Sequence, residues 1–201
     1  KRIEHPVFGY TAAPDGYYEA IGNWTKKRYG YEIQKDWVIP GTGVMGSVAL
    51  AIQSLTKPGD SIVIQTPVYP PFHSVVTTNE RILIKSELKR DKNNYYTMDF
   101  EDLEQKFKAG AKMMLLCNPH NPVGRVWTHE EMEQLIELCN RYHIYLVSDE
   151  IHCDIIMPGH KLTSAMLFPS IYERLVVCTA PSKTFNIAGL GVSNALVPDE
   201  A

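Results

Sequence analysis

The sequence contains no apolar run approaching the ~20 residues that a membrane-spanning helix requires, which argues against a helical membrane protein. Its opening, Lys1-Arg2-Ile3-Glu4-His5-Pro6, carries charge with no apolar stretch behind it and does not read as a signal peptide. Excess charge of one sign is equally scarce: 20 Lys plus Arg against 23 Asp plus Glu leave a formal charge of −3. No strong field is available to wrap nucleic acid or coat an anionic membrane, so neither is expected as a partner. Four cysteines, Cys117, Cys139, Cys153 and Cys178, lack any C-x-x-C spacing. They read as small core residues of a reduced, cytoplasmic protein. Internal repeats, low-complexity tracts and linkers are missing too. What remains is ordinary globular material, 44% hydrophobic and 21% charged over 201 residues. That length suits one domain burying roughly 70% of its unfolded surface. The chain opens without Met and stops at Ala201, as a piece of something longer would.

Helical and strand patterns alternate along it. Helices are expected near 15–29, 44–56, 72–79, 99–108 and 130–142. Strands are expected at 37–39, 61–65, 81–84, 112–117, 144–147, 175–178 and 193–197. Asp15 is read as an N-cap, and Thr128 with Glu131 as a capping box. Residues 89–94 read as a polar loop. Several strands are near-continuous apolar runs such as Met113-Met114-Leu115-Leu116, which implies burial on both faces. The expectation is one α/β domain over residues 1–201: three α/β/α layers around a mostly parallel seven-stranded sheet.

In such sheets ligands bind beyond the carboxyl ends of the strands. The first strand leads into Gly41-Thr42-Gly43-Val44-Met45-Gly46, which fits G-x-G-x-x-G and can present backbone N–H groups to an anion. A nicotinamide-binding reading of Gly41 to Gly46 also needs an acid ending the next strand, and that strand ends Gln65-Thr66. After it, prolines around Tyr69 hold out an aromatic ring. Asn118-Pro119-His120-Asn121-Pro122-Val123-Gly124 has two Asn-Pro steps, able to hold cis bonds, and two side-chain amides able to meet a ligand oxygen. Asp149 sits at the mouth of a buried strand, followed by His152, which is either its helper or an ordinary satisfied histidine. Lys183, just past another apolar strand, is expected to be partly buried, with a nucleophilic amine. Singly, each has a plain alternative: a bare glycine turn, a packed tyrosine, an unliganded double turn, a helix cap, a lysine reaching solvent. Together they put an anion cradle, a flat ring, an amide, a carboxylate and an amine at successive strand ends. Pyridoxal 5′-phosphate (PLP) wants that set.

At this point the sequence resembles the fold-type I PLP enzymes of the aspartate aminotransferase superfamily. The residues that carry the resemblance are the 118–124 run, Ser148-Asp149-Glu150-Ile151-His152, and Ser182-Lys183-Thr184-Phe185-Asn186-Ile187-Ala188-Gly189. With His5-Pro6-Val7-Phe8-Gly9-Tyr10, they look most like the MalY/PatB type of cystathionine β-lyase, or C–S lyase, over essentially the whole chain. The resemblance implies that Lys183 would carry the cofactor covalently and move the substrate Cα proton. Asp149 would pair with the pyridinium nitrogen, Asn121 with the phenolic oxygen, and Tyr69 would stack on the ring. Gly43, Val44 and Met45, with Ser182, would surround the phosphate, and His152 would stand beside the cofactor. Tyr10 would reach the neighbouring subunit's site in a homodimer.

Two departures from the wider superfamily stand out: His152 replaces a usual Tyr, and Gly191 replaces a usual phosphate-binding Arg. The first favours the lyase branch; the second shifts phosphate binding to backbone N–H groups and Tyr10. The expected reaction is α,β-elimination from a sulfur amino acid such as cystathionine or another cysteine S-conjugate. A class I/II aminotransferase is the alternative, an NAD(P)-dependent oxidoreductase the alternative from another class, and a regulator docking on a transcription factor a further one. Relatives also continue into a smaller carboxyl-terminal domain, which this chain would lack.

Overall fold

The computed structural model describes residues 4–7, 9, 10 and 12–198. Lys1 to Ile3 of the opening, Phe8 of the 5–10 run and the final Ala201 therefore lie outside the described residues. Five helices carry the chain: α1 (Asp15–Tyr29), α2 (Val44–Leu55), α3 (Pro71–Thr78), α4 (Phe100–Lys108) and α5 (His129–Tyr142). The strands are β1 (Val38–Gly41), β2 (Ser61–Thr66), β3 (Ile82–Glu87), β4 (Lys89–Arg90), β5 (Tyr96–Thr97), β6 (Met113–Cys117), β7 (Tyr145–Asp149), β8 (Leu175–Thr179) and β9 (Ser193–Leu196).

Seven strands form one sheet in the order β1-β9-β8-β7-β6-β2-β3, and β4 pairs with β5 in a separate hairpin. Neighbours from β3 through β8 are parallel. Strand β9 runs against both β8 and β1, so β1 points the same way as β8. The mostly parallel sheet expected from the apolar runs is therefore present, with one reversed strand inside it.

Burial on both faces explains the strand composition. On one face Met114, Leu116, Leu146 and Val177 pack with Leu103 and Phe107 of α4 and Met132, Leu135 and Ile136 of α5. On the other, Ile62, Ile64, Met113, Leu115, Val147 and Val176 meet Val44, Val48 and Ile52 of α2 and Phe72 and Val76 of α3. Successive strand residues point to opposite faces, so a strand apolar at every position needs a helical layer on each side. All four cysteines are buried and unbridged, as expected. Among the described residues, no helix is long and apolar enough to cross a membrane.

Local chemistry sets several boundaries. The capping box opens α5: Glu131 N–H donates to Thr128 Oγ1 at 3.2 Å and Thr128 N–H to Glu131 Oε2 at 2.9 Å. Asp15 departs from its expected role. Pro14 occupies the N-cap without a side-chain cap bond, and Asp15 sits inside the first turn, where Lys35 Nζ reaches it at 2.6 Å. Trp37 belongs to a 3-10 turn, and the first strand extends to Gly41 instead of ending at Ile39. The hairpin β4–β5 replaces part of the expected polar loop; strands of two residues are too short to show a period.

One buried group carries a pH signature. Glu150 is fully buried, with Oε1 accepting from Ser148 Oγ at 3.0 Å and Ala165 N–H at 2.9 Å. Its Oε2 has no partner. Burial pushes the Glu150 carboxyl up to about 7, with the neighbouring Asp149 charge adding to the effect. A folded pKa above the unfolded one means stability that is fully present below the unfolded value and lost as pH rises through about 7. The loss is on the order of 3 kcal/mol. Glu150→Gln is expected to raise Tm at pH 8 by about 7 °C and to shrink the difference between pH 5 and pH 8, measured by thermal unfolding across that range.

Candidate active site

Strands β1, β2, β6, β7 and β8 point the same way, so the segments following them emerge along one edge of the sheet. These are residues 42–44, 67–70, 118–124, 150–154 and 180–186.

At the first, Gly41 is required by contact: a Cβ there would lie 2.8 Å from Ser193 Oγ and 2.9 Å from Ser47 Oγ. Gly43 is the N-cap of α2, its N–H donating to Ser193 Oγ at 2.9 Å and its carbonyl accepting from Gly46 and Ser47. The next N–H groups, those of Val44 and Met45, are first-turn donors with no intrahelical acceptor, at the positive end of the helix dipole. Gly191 packs behind this turn. Its φ of +61° and a Cβ position 3.3 Å from Thr42 O suit glycine and crowd anything larger. The position where the wider superfamily has Arg therefore serves backbone packing here. Ser193 was invisible in the sequence, because only the β1–β9 pairing brings it to Gly43.

The second and third segments are bonded to each other. Tyr69 N–H donates to Asn121 O at 3.0 Å, and the Tyr69 ring is 40% exposed at this edge. Thr66-Pro67, Asn118-Pro119 and Asn121-Pro122 are cis. Of the two asparagines, Asn118 is buried and its amide donates to Thr163 O at 2.8 Å. Half-buried Asn121 is the one whose amide is left for a ligand.

Asp149 ends β7 and is only 5% exposed, with Oδ1 accepting from Ile151 N–H at 3.0 Å. Burial pushes its carboxyl up to about 6, partly offset by the Lys183 charge. His152 is half-buried, and both burial and the same ammonium hold its imidazole below the usual range, so it is neutral. Lys183 follows the adjacent strand β8 and its charge acts on both groups. It is exposed, so the partly buried lysine considered from the sequence is not found and the amine reaches solvent. Half-buried Ser182 sits at the start of that turn, its carbonyl accepting from Ile187 N–H at 3.0 Å.

The turn is moored to α1 by residues the sequence did not single out. Thr184 Oγ1 donates to Asp154 Oδ2 at 2.7 Å, and Arg28 Nε meets Asp154 Oδ1 at 3.0 Å. Trp24 packs on Phe185 with ring centroids 5.7 Å apart. Tyr10, expected to reach a neighbouring subunit's site, is fully exposed on its own chain. The acid that a nicotinamide reading needs is also missing from the end of β2. Gln65 is buried there, and Asp60 lies at the strand's other end, accepting from Lys57 N–H.

Cystathionine β-lyase PatB of Bacillus subtilis (strain 168) is 41% identical over 201 residues, covering 99% of this chain and 52% of that protein. A PLP-bound protein from Clostridium difficile 630, classed provisionally as an aminotransferase, superposes with a TM-score of 0.95 at 46% identity over 99% of this chain and 51% of its own. The PLP-bound C–S lyase from Staphylococcus hominis gives 0.92 at 33% identity, over 99% and 51%. The chain thus spans about half the length of the relatives it matches. Residues 7–201 match the family model of aminotransferase class I and II, and with that agreement of sequence, fold and strand-end residues this chain belongs to the aminotransferase class I and II family.

Proposed function

We propose that the protein containing this chain is a PLP-dependent C–S β-lyase of the cystathionine β-lyase type. The observation that carries this reading is Asp149, a carboxylate buried at a strand mouth with no cation bonded to it and Lys183 following the next strand. A carboxylate so placed needs a positively charged or N–H partner. The pyridinium nitrogen of PLP meets that need, and the first-turn N–H groups of α2 suit its phosphate, so the donor set fits the cofactor.

When bound, PLP supplies an electron sink for the pair left as the substrate Cα–H bond breaks. Asp149 would keep the ring nitrogen protonated, Asn121 would offer its amide to the phenolic oxygen, and Tyr69 would stack on the ring. Val44 and Met45 would offer N–H groups to the phosphate, with Gly43 and Ser182 beside them. The Lys183 amine would hold the cofactor and would accept the substrate Cα proton. Neutral His152 lies beside the Lys183 ammonium without adding a second positive charge. Loss of the thiolate from Cβ, followed by hydrolysis, yields thiol, pyruvate and ammonia. A sulfur leaving group needs little proton assistance, so the reaction asks for no second acid beside Lys183.

The same reading makes residues 1–201 the cofactor-binding large domain, with the rest of the parent protein supplying a smaller carboxyl-terminal domain. Tyr10, fully exposed on its own chain, is then free to enter a second copy's site in a homodimer. Cytoplasmic location follows the reduced cysteines. The second reading, an aminotransferase, rests on the provisional class of the Clostridium difficile relative.

The parent protein supplied with PLP and cystathionine is expected to release pyruvate and a thiol in equal amounts and to return to its starting spectrum. Accumulation of pyridoxamine phosphate without thiol would establish the aminotransferase instead. Lys183→Ala is expected to lose borohydride-fixable cofactor and to reduce turnover at least about 10³-fold. Asp149→Asn is expected to retain the covalent attachment but lower kcat by about 10²-fold, since the ring nitrogen loses the charge that keeps it protonated; steady-state kinetics checks this.

A further inference from the structure

His120 has no part in the reaction described above, yet it is among the most constrained polar groups of the fold. It is 1% exposed, within the 118–124 segment and next to Asn121. Its backbone is pinned on both sides: His120 N–H donates to Arg125 O at 2.7 Å, and Gly124 N–H to His120 O at 2.8 Å. Its ring stands edge-on to Trp127, centroids 5.4 Å apart at 79°, and the Trp127 indole N–H donates to Cys117 O at 3.0 Å. The imidazole therefore has one orientation open to it.

That orientation points Nε2 at Pro67 O, 2.9 Å away, while Nδ1 has no partner. A carbonyl only accepts, so the proton is on Nε2. Burial holds the imidazole down to about 4, against the Pro67 and Cys117 carbonyls, which favour the charged form, and with a smaller push from the Arg125 charge, so the ring is neutral across the physiological range. Pro67 begins the segment that carries Tyr69. Two residues further on, Tyr69 N–H returns a bond to Asn121 O at 3.0 Å. The two segments are thus joined by two hydrogen bonds of opposite sense: His120 side chain to Pro67, and Tyr69 backbone to Asn121. Flanked by those bonds are the ring that would cover PLP and the amide that would meet its phenolic oxygen.

We infer that His120 is a positioning residue, an Nε2–H donor that locks the Tyr69 segment to the Asn121 segment and so sets where ring and amide meet the cofactor. This rests on the PLP reading of the site. Without the His120 donor the Pro67 carbonyl is released, and the Asn121 amide moves relative to the phenolic oxygen it would bond. The consequence is on the cofactor's electronics and on turnover, not on substrate capture.

The test uses the full-length holoenzyme with His120→Phe, which keeps the bulk and removes the donor, and His120→Gln, which restores an amide N–H. His120→Phe is expected to move the pH midpoint of the bound cofactor's visible band, to weaken PLP binding to the apoprotein, and to lower kcat by on the order of 10²-fold with KM little changed. His120→Gln should recover most of each loss. In an Asn121→Ala background, His120→Phe should shift the midpoint little further. In the unmodified protein, side-chain nitrogen NMR should show a neutral Nε2–H tautomer from pH 5 to 8, a reading that needs no variant to fold. A lowered Tm with unchanged midpoint, PLP affinity and kcat would overturn the positioning role, as would a charged or Nδ1–H imidazole. An unmodified holoenzyme without lysine-bound cofactor would overturn the PLP reading itself, which the His120 variants alone would not.

Discussion

Parallel pairing of β6, β7 and β8 through a core closed on both faces is the constraint on which the candidate site depends. Its register sets Cys117, Asp149 and Cys178 side by side. Asp149 thus ends between two buried thiols in a poorly solvated strand mouth. Burial and the Asp149 charge push the Cys117 thiol up to about 12 and raise Cys178 likewise, so both stay protonated and uncharged. The carboxylate is left with one backbone N–H and the charge of Lys183. A group in that position gains more from a bound cation or N–H than a solvated carboxylate would, because water competes little there.

Around this point the other contributors are set by backbone contacts between segments far apart in sequence. The cradle at Gly43 exists because β9 lays Ser193 against β1, and Gly41 leaves room for that hydroxyl. The turn bearing Lys183 is held by Thr184 on Asp154, and Asp154 by Arg28 of α1. An exposed lysine on a moored turn is free to move its amine while its backbone stays in place, which suits the two roles proposed for it.

Much of this was legible beforehand. Continuous apolar runs such as 113–116 could only be strands buried on both faces, and Thr128 with Glu131 marked the start of α5 through a bond pattern local to four residues. Asp149, Asn121 and Tyr69 were picked out because each follows such a strand. Where the reading failed, a distant contact outweighed a local preference. Asp15 pairs with Lys35 instead of capping, Trp37 turns before the strand begins, and β4–β5 is too short for any period. Strand-end placement alone left Asn118 and Asn121 open, the resemblance pointed to Asn121, and the bond from the Asn118 amide to Thr163 O shows that Asn118 is already engaged.

The sequence by itself determined the three-layer architecture and the strand-end order of the chemical groups, because burial pattern and turn chemistry are properties of neighbouring residues; kinship with PLP enzymes came from the resemblance of its motifs. Only the tertiary structure decided that β9 is reversed, that Lys183 is exposed, that Gly191 fits against Thr42 and that His120 bonds Pro67. Each of those depends on the distance between segments separated in the chain, and that distance is set by how the layers close, not by any residue's own preference.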